Sequence, residues 1–193
     1  MNDDESFYNS DYIEIPDLLK SFETGKPISH CVNCGTQLLG ESPLYSIQKA
    51  YQNSEVLVEY AQCFNCYEEL TASYSRQTMS GNWNFSLDSR DFEGRKQRLL
   101  KEAPQDLELW IENCLTCGKG KDEMSSYTLV GQCEGSHLLF YYMPYLICED
   151  CQIRMHDFMS SKSRDIWDRW YEGHIGTPPV MEREHAPGKV VLV

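Results

Sequence analysis

Eight of the nine cysteines in this 193-residue chain fall into four Cys-x-x-Cys pairs, and the pairs form two sets. Cys31/Cys34 and Cys63/Cys66 make the first; Cys114/Cys117 and Cys148/Cys151 make the second. Within each set about thirty residues separate the pairs, room enough for a β-hairpin. Two residues between paired cysteines let one tight turn present both sulfurs, and a hairpin between the pairs brings two such turns together. The spacing predicts two four-thiolate metal sites, one in each of two similar units. Zinc, two ions per chain, is the metal this pattern suits best. Iron is the alternative, because sulfur tetrahedra hold both.

Composition supports that reading and narrows what the chain does. Each unit has well under a hundred residues, where a hydrophobic core is thin and a structural metal is a common remedy. The 12 Tyr, 7 Phe and 4 Trp supply a packed interior. A formal net charge of −13 repels phosphate and disfavours nucleic acid as a partner. The first residues, Met1-Asn2-Asp3-Asp4-Glu5, have neither a basic stretch nor an apolar run, and no segment approaches the ~20 apolar residues that span a bilayer. The expected location is cytoplasmic, with no membrane partner. In a reducing compartment such cysteine pairs are more often metal ligands than disulfides.

Along the chain, residues 1–27 read as an acidic arm containing Tyr12-Ile13-Glu14-Ile15-Pro16, and Asp17 to Phe22 can form one or two helical turns. Residues 28–86 form the first unit. Its Cys31-Val32-Asn33-Cys34-Gly35 is a knuckle, strands are expected at Leu44 to Ala50 and Glu55 to Ala61, and a helix follows in which Tyr67, Leu70 and Tyr74 share a face. Residues 87–110 read as a charged helical connector. Residues 111–173 repeat the order: a knuckle at Cys114 to Gly118, strands at Tyr127 to Gln132 and His137 to Tyr142, and a helix on which Cys151, Met155, Phe158 and Met159 share a face. Ser75-Arg76 and Ser163-Arg164 extend the match, with Trp83 after one and Trp167 and Trp170 after the other. Residues 174–193 form a tail with an extended Pro-containing part and a strand-like end.

This order of knuckle, hairpin and a helix that supplies the last two ligands resembles the treble-clef group of zinc domains, in tandem. The resemblance implies an α+β fold, with the zinc ribbon as the competing arrangement. It implies LIM-like or RING-like interaction modules among its functions, and no particular family. An HNH-type nuclease would need a His-rich strand beside the helix, and neither unit has one. Rubredoxins also use two Cys-x-x-Cys pairs around iron, but their second pair sits in a Pro- and Gly-containing knuckle. Here the second pairs read Cys63-Phe64-Asn65-Cys66-Tyr67 and Cys148-Glu149-Asp150-Cys151-Gln152.

Other candidates carry less. Cys133, the odd cysteine, is expected in a hairpin turn as an incidental thiol. His30 is read as a surface residue, with a hydrogen bond to a thiolate as the sharper alternative. His174, Glu182, Glu184 and His185 lack the spacing of a catalytic metal site. Arg90, Arg95, Lys96, Arg98 and Lys101 are interleaved with acids and read as a solvated connector helix rather than a nucleic-acid surface. The tryptophans read as packing between the units. With every metal position filled by thiolate, no residue is assigned a catalytic role. The sequence points to a zinc-binding interaction or regulatory module with a protein partner; a nucleic-acid-binding zinc protein and a rubredoxin-like electron carrier are the alternatives.

Overall fold

The computed structural model describes residues 12–40, 44–80, 92–141 and 143–176. Its centre is one antiparallel sheet of six strands: β1 (Tyr12–Glu14), β2 (Tyr45–Gln52), β3 (Glu55–Cys63), β4 (Ser126–Glu134), β5 (His137–Leu139) and β6 (Tyr145–Cys148). The main order is β1-β5-β4-β2-β3, and β6 pairs with β4 alongside β5. Helices α1 (Phe64–Ala72), α2 (Phe92–Glu102), α3 (Leu107–Trp110), α4 (Glu149–Phe158) and α5 (Ser161–His174) complete the architecture. The fold is α+β, and no helix among the described residues is long and apolar enough to cross a membrane.

The first hairpin forms where its sequence predicts. Asn53 and Ser54 both take positive φ, 49° and 70°, which matches the twist of a two-residue hairpin turn. The second differs from the expectation of one strand over His137 to Tyr142. Two short strands share one edge of β4: β5 opposite Gln132–Glu134 and β6 opposite Tyr127–Val130. Buried Pro144 lies between them and has no N–H to offer a ladder.

The two hairpins are joined edge to edge. β2 and β4 pair antiparallel along their length, from Tyr45 opposite Cys133 to Gln52 opposite Ser126. On one face Tyr45, Ile47, Tyr51, Leu129 and Leu146 pack against Ile15, Leu19, Leu38, Trp110 and Phe140. Gly131 sits mid-strand on that face, where an added Cβ would stand 2.8 Å from the Leu19 side chain. Lys49 points into the same face at 3% exposure, held by Glu59 at 3.1 Å and the Lys20 carbonyl at 2.6 Å. The other face carries Ser46, Gln48, Gln62 and Thr128, all buried, and Ala50 and Tyr60 there meet Trp167, Trp170 and Tyr171 of α5. The tryptophans of α5 thus pack on the first hairpin, as the sequence suggests; Trp83 lies outside the described residues.

The halves also meet through hydroxyls. Ser75 Oγ accepts from Thr78 N at 3.1 Å, capping a helical turn at 76–80, and Ser160 Oγ accepts from Ser163 N at 3.3 Å, capping α5. Ser75 N then donates to Ser163 Oγ and Ser160 N to Thr78 Oγ1, each at 2.9 Å, and the two cap hydroxyls are 2.9 Å apart. Ser75 follows Cys66 by nine residues, as Ser160 follows Cys151. The residue matching Ser75 is therefore Ser160, not Ser163, which corrects the Ser-Arg correspondence read from sequence.

Several other expectations change. Cys133 lies within β4 rather than in a turn, fully buried beside Tyr45, and burial pushes its thiol up to about 12. Phe158 is 52% exposed, because the chain leaves the α4 helix at Met159, which is buried in the core under α5. In the connector, Lys96 is buried over the Tyr141 ring and pairs with Glu93, and Arg95 stacks on Trp110. These two cations are packed, not solvated; Arg90 lies outside the described residues.

Candidate metal centres

Each cysteine set converges. The four Sγ atoms of Cys31, Cys34, Cys63 and Cys66 lie within 4.8 Å of one another, as do those of Cys114, Cys117, Cys148 and Cys151. The backbone that achieves this is the same in both. Gly35 N bonds the Cys31 carbonyl and Gly118 N the Cys114 carbonyl, each at 2.9 Å. The glycines take φ of 71° and 75°, a region in which a Cβ would be strained. One turn further, Cys31 N reaches the Thr36 carbonyl and Cys114 N the Lys119 carbonyl, closing each knuckle. Val32 N bonds Ala61 O and Leu115 N bonds Leu146 O, both at 2.8 Å, fastening each knuckle to the strand that carries the third cysteine. Cys63 and Cys148 are the N-caps of α1 and α4, so Cys66 and Cys151 fall in the first helical turn. There the helix dipole favours a thiolate.

The distances discriminate between possible uses. Cys34 and Cys63 sulfurs are 3.9 Å apart, and those of Cys117 and Cys148 are 3.7 Å apart. A disulfide needs about 2.05 Å. Four sulfurs about 2.3 Å from a central zinc stand about 3.8 Å from each other along a tetrahedral edge. Both separations lie near the second figure, and all the cysteines are free thiols.

Backbone donors support charge on the sulfurs. Cys63 N points at Cys31 Sγ and Cys148 N at Cys114 Sγ, each at 3.4 Å. Side-chain donors differ: the Asn33 amide donates to Cys66 Sγ at 3.3 Å, and the Arg154 guanidinium to Cys151 Sγ at 2.8 Å. Burial pushes the Cys63, Cys66 and Cys148 thiols up, and Cys151 up to about 11. At Cys114 burial acts upward, but the backbone donors of Cys117, Cys148 and Thr116 outweigh it and pull the thiol down. Exposed Cys34 is held at about 6 by the Thr36 hydroxyl, 3.2 Å away. The raised thiols of Cys63, Cys66, Cys148 and Cys151 favour the protonated form, and a divalent ion shared by the four sulfurs of a cluster would favour thiolate.

The clusters sit at opposite ends of the sheet. Cys63 is level with Tyr45 at the start of β2; Cys148 is level with Tyr127, opposite Tyr51 near the end of β2. Six residues of strand separate those levels, about 20 Å.

Of the remaining sequence candidates, His30 and His174 are not among the residues of either cluster. His30 is exposed and bonds Ser29. His174 stacks on Trp170, while Glu182, Glu184 and His185 lie outside the described residues. Asn33 and Arg154 are the site residues that the cysteine pattern does not reveal. Asn33 lies between the paired cysteines of the first knuckle, next to Cys34. Arg154, three residues beyond Cys151, follows from helical spacing once α4 is accepted. Comparisons with protein families, with curated proteins and with solved structures find no match to this chain.

Proposed function

We propose that each cluster binds one zinc ion in a closed structural site and that the body so stapled is a protein-interaction or regulatory module. Cys31, Cys34, Cys63 and Cys66 would hold one ion; Cys114, Cys117, Cys148 and Cys151 would hold the other. The carrying observation is that each cluster brings four sulfurs within 4.8 Å of one another, with Cys34 and Cys63 at 3.9 Å and Cys117 and Cys148 at 3.7 Å. All four positions are thiol, so a bound zinc has no place for water or substrate, and its contribution is folding free energy. The order of knuckle, hairpin and helix around each set supports a treble-clef-like unit, and the matching hydrogen bonds of the two knuckles support duplication of one such unit. Zinc is favoured over iron because both second pairs open helices.

The interaction reading follows from the closed sites together with the net charge of −13, which disfavours nucleic acid. Cobalt(II) substitution tests the site chemistry: the expected spectrum has sulfur-to-cobalt charge transfer and intense visible bands of a tetrahedral ion, saturating at two equivalents. Saturation at one equivalent, or an octahedral spectrum, would contradict it. A salt-sensitive affinity for DNA or RNA in a filter-binding assay would replace the interaction reading with the nucleic-acid one.

A further inference from the structure

A pocket of about 430 Å³ opens where the connector packs on the second knuckle. Its size lies within the ~300–1,000 Å³ range of small-molecule sites. Gly94 and Arg98 of α2 form one wall, Leu109 and Trp110 of α3 another, and Glu112 with Asn113 the lip that leads into Cys114. Among the described residues, α2 and α3 precede only the second knuckle.

Two charges at the pocket have no partner among the described residues. The side chains of Arg98 and Glu112 are exposed, and neither forms a hydrogen bond or ion pair with any described residue or with the other. Neighbouring Arg95 is committed, stacked on Trp110 and donating to the Trp110 and Pro144 carbonyls. Leu109, 46% exposed, supplies an apolar surface in the same lining, as do buried Leu99 and Leu115.

We propose that this pocket binds a small zwitterion with an apolar body, of the class of a free aliphatic or aromatic amino acid. Its carboxylate accepts from the Arg98 guanidinium, its ammonium donates to Glu112, and its side chain lies on Leu109. A simple anion satisfies Arg98 but faces Glu112, and a simple cation does the reverse; only a ligand with both charges complements both. The charge of −13 over the whole chain further weighs against anions.

Isothermal calorimetry on the full chain tests this with L-phenylalanine and L-leucine. N-acetyl-L-phenylalanine lacks the ammonium, L-phenylalanine amide lacks the carboxylate, and inorganic phosphate is the simple anion. The expected result is saturable binding of a free amino acid at one site per chain, weaker by about tenfold or more for each blocked derivative, a difference of about 1.4 kcal/mol. Arg98→Ala should bring the free amino acid down to the affinity of the amide without changing the amide, and Glu112→Gln should do the same relative to the N-acetyl compound. No saturable binding of either amino acid, equal binding of the blocked derivatives, or tighter binding of phosphate would overturn the proposal. The derivative series on the unsubstituted chain decides it even if a variant folds poorly. Neither residue belongs to a cysteine cluster, so loss of metal binding is read separately by cobalt titration.

Discussion

The two cysteine clusters share a backbone and differ in what faces the helix sulfur. At Cys66 the donor is the neutral amide of Asn33, set between Cys31 and Cys34. At Cys151 it is the Arg154 guanidinium, one turn along α4. The corresponding place on α1, three residues beyond Cys66, holds Glu69, whose charge has the wrong sign to help a thiolate. A four-thiolate zinc site would carry a formal charge near −2, which Arg154 would partly neutralise at the second site, with no matching cation on a helix sulfur of the first among the described residues. The first site is instead wired to a distant element: Asn33 Oδ1 accepts from Trp170 Nε1 at 2.7 Å, which ties the knuckle to α5. Backbone geometry fixes where the sulfurs go, while side chains set the charge of each site and what it is connected to.

Removing a ligand should have the largest effect and should show how independent the clusters are. Cys66→Ser and Cys151→Ser are each expected to cost one metal ion and more than about 4 kcal/mol of stability. Because β2 and β4 form one continuous ladder, either loss should lower a single unfolding transition. Calorimetry showing two transitions, only one of them moved, would mean that the halves fold separately.

Charge balance comes next. Arg154→Ala should weaken metal binding at the second site by roughly 10- to 100-fold, the usual range for a group supporting a metal ligand. Competition with a chromogenic chelator measures it, and Arg154→Lys should recover part of the loss. Asn33→Ala should weaken the first site less, by about three- to tenfold. It should also leave the Trp170 indole N–H without its partner, so a shift in tryptophan fluorescence should accompany the loss. A larger effect from Asn33 than from Arg154 would reverse the order of the two donors.

The smallest expected effects test the likeness of the halves. Ser75→Ala and Ser160→Ala each remove a helix cap worth about 1 kcal/mol. The two caps touch each other, so the double variant should lose measurably less or more than the sum of the single ones. Strict additivity in urea unfolding would show that the hydroxyl contact couples nothing.

The cysteine clusters were legible because their spacing is a local constraint, and the first hairpin because its turn chemistry is. Long-range pairing was not. Nothing in residues 45–52 shows that they lie beside residues 126–133, and that neighbour changes what alternation means. Polar Ser46 and Gln48 are buried, and Lys49 lies on the face of Ile47 and Tyr51 with Glu59 as its partner. Nothing in the sequence around Pro144 shows that the chain returns to the same edge of β4 as β6. The Ser-Arg dipeptides were matched by identity, whereas the structure matches cap to cap, and Ser163 plays the part of Thr78. The pocket was invisible because its residues come from two helices and a knuckle whose packing no spacing records.

Elemental analysis of the purified chain, with its absorption spectrum, tests the central claim most directly. Two zinc ions per chain and no visible colour are predicted, falling to one in either cysteine variant. Iron with visible charge-transfer bands, or thiols without metal, would contradict the account.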